Sequence, residues 1–217
     1  MLHAFLDESG THADAIVVSV AGFYGSGNQW RTFRKLWKPL SRGFHAKRSS
    51  PLFSKLCGVI ERSKVNGLLI TINKETYQNC ASAHMKSSLG NAYAICALLC
   101  ASSICKQVGN RRVSFVLEQG QPNLPFVKRM LEGLMEIGDL RIAAVDTARK
   151  ADFIELHTAD FLSHVASTDD RHWLHPLFDA GRLAHAHVTE KIIRESCPEI
   201  TRIFHQQRAL RKASKRI

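Results

Sequence analysis

The chain has 217 residues, 45% hydrophobic and 23% charged, which is enough apolar material for one full core and unlike a disordered segment. Thirty Lys and Arg stand against 19 Asp and Glu, a formal charge of +11 that favours a polyanionic partner, nucleic acid foremost. Its longest apolar run, Ala92 to Cys105, falls short of the roughly 18 residues of a spanning helix, and the opening run meets Asp7 and Glu8 at once, so neither membrane span nor signal peptide is expected.

The first strand is predicted over Leu2–Asp7, closed by the turn-like Glu8-Ser9-Gly10-Thr11. A second, Ala15–Phe23, is rich in β-branched residues and close enough to pair with the first as an antiparallel hairpin. Trp30, Phe33, Leu36, Trp37 and Leu40 recur at steps of three and four, so Gln29–Leu40 reads as a helix capped by Asn28. A polar, basic stretch, Ser41–Ser50, leads to a helix over Pro51–Lys64, with proline suited to its first turn. Gly67–Asn73 follows as a strand, Ser87–Val108 as a long apolar helix and Arg112–Glu118 as a strand. Asn123–Ile137 is an amphipathic helix, Leu140–Val145 the fifth strand and Ala151–Ala166 the last core helix. The six cysteines form no Cys-x-x-Cys pair, and Cys96 and Cys100 lie within the apolar helix; structural thiols in a reducing, cytoplasmic compartment are the expectation.

With the helical insertion at about 28–65 set aside, this is the element order of the ribonuclease H-like fold. The expected domain, residues 1–168, is α/β, with a mixed sheet of about five strands and flanking helices. Residues 169–217 read as a His-rich and basic C-terminal helical extension.

Phosphodiester hydrolysis at neutral pH needs an activated water and neutralised charge on the attacking and leaving oxygens, which divalent ions supply. Hard ions such as Mg²⁺ or Mn²⁺ take carboxylate oxygens. Asp7 ends the first strand, Glu118 ends the fourth, and Asp160 lies on the last core helix beside Ile154, Phe161 and Val165. In the expected order the first and fourth strands are parallel neighbours, so the three acids can meet as metal ligands. Glu8 joins them only if the strand has ended, because period two otherwise turns it away from Asp7. Taken alone, the Asp7–Gly10 segment reads equally well as a turn in which Asp and Ser cap their own backbone.

His157, Asp160 and His164 share one helical face, and His157 is the candidate for proton transfer or phosphate positioning. His172, His175, His185 and His187 lack a zinc-site spacing and suit exposed or phosphate-contacting roles better. His45, Lys47 and Arg48 in the insertion suit phosphate contact, and equally a solvated basic loop. The tail after Arg202, with Arg208, Arg211 and Lys212, offers further cations for a polyanion.

The segments Phe5-Leu6-Asp7-Glu8-Ser9-Gly10, Val20-Ala21-Gly22, the Trp-bearing helix, His45-Ala46 and Leu156-His157-Thr158-Ala159-Asp160-Phe161 carry a resemblance. In these the chain resembles an Asp-Glu-Ser-Gly family of bacterial and phage proteins, domain-of-unknown-function family 3800, over most of its length to about Ala166. The resemblance implies a ribonuclease H-like fold and a metal-dependent nuclease role. Two departures stand out: His157 replaces the family's Gln, and Lys47 or Arg48 stands where an acidic residue follows the His-Ala pair, which lowers the carboxylate count.

The expectation is therefore a hydrolase acting on nucleic acid, with Asp7 bridging Mg²⁺ or Mn²⁺ and Glu118, Asp160 and Glu8 as further ligands. The alternatives are a non-catalytic nucleic-acid-binding protein and an interaction module of a phage or mobile element on the same fold. The sequence leaves the choice of DNA or RNA, and the oligomeric state, open.

Overall fold

Period-two alternation divides the first strand, β1 (Leu2–Ser9), between two cores: Leu2, Ala4 and Leu6 join one apolar cluster and Phe5 the other. In the computed structural model, which describes residues 1–12, 14–120, 123–138, 140–168 and 170–195, β1 lies inside a six-stranded sheet. The other strands are β2 (Val17–Ser26), β3 (Asn66–Asn73), β4 (Val113–Glu118), β5 (Ile142–Ala148) and β6 (Leu183–Val188). Their order is β5-β4-β1-β2-β3-β6. β1, β2 and β3 form an antiparallel meander, while β1 with β4, β4 with β5, and β3 with β6 run parallel. The carboxyl ends of β1, β4 and β5 therefore open onto the same edge, where open α/β sheets place their ligands.

One sheet face is covered by α1 (Gly27–Trp37), α2 (Phe53–Ser63) and, later in the chain, α7 (Leu156–Ala166). The other face receives residues of α3 (Lys74–Cys80), α4 (Ala83–Leu89), α5 (Ala92–Gln107) and α6 (Leu124–Glu136). A short α8 (His175–Asp179) packs Leu177 into the first layer. α1 begins with a capping box: the Ser26 hydroxyl accepts from the Gln29 amide at 3.3 Å, and the Gln29 side chain accepts from the Ser26 amide at 2.7 Å. This two-way cap places the helix start ahead of the expected Asn28. Trp30, Phe33 and Trp37 form its buried stripe, and the Trp30 indole N–H donates to the His3 carbonyl at 2.9 Å.

Three departures from the sequence reading bear on the site. The expected helix over 87–108 is broken at Gly90 and restarts at the Asn91 cap, whose side chain accepts from the Ala94 amide at 3.2 Å. β5 runs on to Ala148 and α7 starts only at Leu156, so residues 151–155 form turns where a helix was expected. The sheet has six strands rather than about five, because residues 183–188, assigned to a helical extension, pair with β3 instead. His185 and His187 hide this strand by interrupting its apolar pattern; both rings sit on the Thr71 hydroxyl, at 2.9 and 3.0 Å. Cys57, Cys80, Cys96, Cys100 and Cys105 are free thiols. Among the described residues, no helix is long and apolar enough to cross a membrane.

Candidate active site

Parallel pairing sets the first two acids side by side. Leu6 is opposite Leu117, so the next residues along the two strands are Asp7 and Glu118. Both strands pass Glu118 and Asp7 toward the face covered by α7, on which Asp160 is carried. Glu118 in turn pairs with Ala148 at the end of β5, and two residues later the chain presents Lys150.

The three acids meet at the Lys150 ammonium. Its Nζ lies 3.3 Å from Asp7 Oδ2, 2.9 Å from Glu118 Oε2 and 2.7 Å from Asp160 Oδ1. Two of the remaining oxygens are also held. Asp160 Oδ2 accepts from the Ala46 backbone amide at 2.8 Å, and Asp7 Oδ1 accepts from the Glu8 amide at 2.8 Å. Ala46 is buried, and its amide is the point where the insertion grips the site. A second tie runs from Arg34 on α1 to buried Glu155, immediately before α7.

Glu8 is placed differently. β1 continues to Ser9, so the alternation turns Glu8 to the opposite face from Asp7, where it bonds the Tyr93 hydroxyl of α5. It is not among the residues gathered at Lys150, and its Oε1 is buried with no hydrogen-bond partner.

The charges do not balance. Asp7, Glu118 and Asp160 crowd one ammonium, and Glu8 lies next to Asp7 in the chain. Burial raises the Asp7 carboxyl well above its ordinary value, and the hydrogen bond and charge of Glu118 push it further. Burial, then the charge of Asp7, pushes Glu8 up to about 8. Burial alone would lower the Lys150 ammonium, but the charges of Asp7 and Asp160 overcome it and raise its pKa. Raised carboxyls beside a raised lysine mark a site short of positive charge. An all-oxygen donor set with surplus negative charge fits a hard divalent ion such as Mg²⁺ or Mn²⁺. Among the described residues no three His, Cys, Asp or Glu side chains stand as a metal cage, and the three acids are grouped around an ammonium.

His157 is turned from the role the sequence suggested. Its Nδ1 accepts from the Trp37 indole at 3.0 Å, its ring also hydrogen-bonds the Lys150 backbone, and the Phe44 ring lies 5.0 Å away. Burial lowers its pKa from 6.5 to about 4, so at neutral pH it is an uncharged brace between α1 and the turn bearing Lys150. The sign for stability follows. The folded pKa is depressed, so the full contribution is present above 6.5 and is lost as pH falls toward about 4, by about 2–3 kcal/mol. Denaturant unfolding at pH 7 and pH 4.5 should show a larger loss in the parent than in His157→Gln; equal losses would remove this assignment.

His45, Lys47 and Arg48 are exposed on the 3₁₀ turn Ala46–Arg48 and its leading edge, next in chain to the Ala46 amide that holds Asp160. Arg208, Arg211 and Lys212 lie outside the described residues. The sequence reading passed over Lys150, the Ala46 amide and Tyr93. The signal available for Lys150 was a cation just past the strand that neighbours β4, ten residues before Asp160.

No family model matches the chain, and no curated protein matches it. Solved structures do. A chain of the PCNA:RNase HII complex from Archaeoglobus fulgidus superposes with a TM-score of 0.51 at 19% identity, over 82% of this chain and 78% of that one. Bst-RNase HIII, solved in complex with Mn²⁺, gives 0.52 at 13% identity, over 93% of this chain but only 64% of its own. The likeness to both is one of architecture, and the chain has a ribonuclease H-like fold.

Proposed function

We propose that the protein is a metal-dependent nuclease that hydrolyses phosphodiester bonds of nucleic acid. One observation carries the reading: carboxylates from β1, β4 and α7 converge within hydrogen-bonding reach of a single point at the carboxyl edge of the sheet. Asp7, Glu118 and Asp160 would hold Mg²⁺ or Mn²⁺, with Glu8 on the other side of β1 outside that set. The ion, when bound, would supply an activated water and neutralise charge on the phosphate. The chain's own groups do the positioning. The Ala46 amide fixes Asp160, the Glu8 amide fixes Asp7, and exposed His45, Lys47 and Arg48 border the site as phosphate contacts. The surplus of Lys and Arg, +11 overall, suits a polyanionic substrate.

The neighbours named RNase HII and RNase HIII make an RNA–DNA hybrid the first substrate to try. End-labelled hybrid, single-stranded RNA, single-stranded DNA and duplex DNA are incubated with the protein and Mn²⁺ or Mg²⁺, with and without EDTA. Chelator-sensitive cleavage of at least one is expected. Salt-sensitive binding of all four without cleavage would replace this reading with that of a non-catalytic nucleic-acid-binding protein.

A further inference from the structure

We propose that Lys150 is a built-in competitor for the metal: its ammonium holds the point that a divalent ion needs, and the ion enters only as the lysine swings out. This rests on the metal-dependent reading above and adds to it a step of loading.

The geometry gives the reason. A single Nζ contacts all three acids at 2.7–3.3 Å, so the ammonium occupies the point where one oxygen from each of them converges. Backbone amides of Glu8 and Ala46 already donate to the outer oxygens of Asp7 and Asp160, so turning either group costs it a hydrogen bond. Lys150 also has a way out. It sits on a turn beyond the end of β5, an edge strand, and its side chain keeps 19% exposure where Asp7 keeps 4%. Four flexible methylenes allow the head group to reach solvent without backbone movement. The turn itself stays anchored during the swing by the hydrogen bond between the His157 ring and the Lys150 backbone. Exchange of a +1 ammonium for a +2 ion also relieves the shortage of positive charge shared by Asp7, Glu8, Glu118 and Asp160.

Two measurements test this together. Mn²⁺ is titrated into the parent and Lys150→Met, followed by electron paramagnetic resonance of the free ion. Removing the competitor should tighten Mn²⁺ binding by about tenfold or more. The second measurement uses the parent alone and does not depend on the variant folding. Lys150 is acylated with a limiting amine-reactive ester, with and without Mn²⁺, and the modified peptide is quantified by mass spectrometry. Metal should raise the acylation of Lys150 severalfold and leave exposed Lys47 unchanged. Mn²⁺ binding to the parent with Lys150 still protected, or with the same affinity in Lys150→Met, overturns the competitor role while leaving the metal site standing. No Mn²⁺ binding to either protein overturns both.

Discussion

Asp7→Asn should abolish metal-dependent cleavage while leaving the chain as stable as the parent, or more so. The loss of activity is expected on the order of 10³-fold, because the neutral amide removes both a ligand and a charge where charge develops on the phosphate. The stability expectation comes from the direction of the Asp7 shift. Burial and Glu118 raise its pKa in the folded state, so folding favours the protonated form. The ionised carboxylate therefore weakens the fold progressively as pH rises from the ordinary value through the raised one. At pH 7 in EDTA, an amide at this position removes that penalty, and the melting temperature should hold or rise. Asp160→Asn should lose comparable activity, but its stability should fall, since it gives up a 2.7 Å charge-assisted bond to Lys150. A Glu190→Gln control, which breaks only an exposed pair with Arg194, should cleave like the parent. If Asp7→Asn is both less stable and fully active, the acids are structural and the site belongs elsewhere.

An opposite response of two acids in one cluster separates a functional site from a structural ion-pair network. In a network evolved for stability, removing any member costs. Here three acids share one cation and a fourth, Glu8, is held near them with an unpartnered oxygen, an arrangement that stores repulsion unless more positive charge arrives.

The sequence carried the parts of this site that follow from strand period and strand order. Asp7 and Glu118 were legible because each ends a β-branched or aromatic run, and because the first and fourth strands had to be parallel neighbours. Asp160 was legible from the apolar stripe around it. Glu8 was legible as a condition: the strand does continue, and the alternation does turn it away. Lys150 was not legible, because its meaning depends on residues 149–155 being turns, and their composition permits an early helix start equally well. Other causes hid the roles of His157 and Ala46. A histidine on a helix face looks like an acid–base group until Trp37, more than a hundred residues away in sequence, is found donating to it. A backbone amide carries no side-chain signal at all, so the grip of Ala46 on Asp160 exists only in three dimensions. β6 escaped for a related reason: an edge strand with Ala184–His187 exposed shows no apolar alternation to read.

Gly10→Ala should unfold the chain more easily by about 3 kcal/mol or more, although the residue touches no acid of the site. Two costs combine. Gly10 has φ +75°, where a side chain costs about 1–2 kcal/mol on its own. An added Cβ would also lie 1.9 Å from the Val17 carbonyl oxygen and 3.0 Å from its carbon. Both are backbone atoms at the start of β2, so no rotamer change relieves the contact; the β1–β2 hairpin must open instead. Gly109→Ala provides the comparison, since Gly109 has φ +62° and nothing within 4 Å of the added carbon. It should lose only the conformational cost, about 1 kcal/mol, so the difference between the two variants in a denaturant titration isolates the clash. The Asp-Glu-Ser-Gly segment then divides by physical cause. On the proposed function, Asp7 serves by its charge. Ser9 ties the strand end to Ser167 beyond α7 at 3.0 Å. Gly10 lets β2 return close enough to hold Asp7 at the depth where Glu118 and Asp160 can reach the same point. Opening that hairpin should therefore lower cleavage in Gly10→Ala even below its melting temperature, whereas Gly109→Ala should cleave normally. Equal stability of the two alanine variants would mean that the hairpin tolerates the extra carbon and that the glycine is not what sets the position of Asp7.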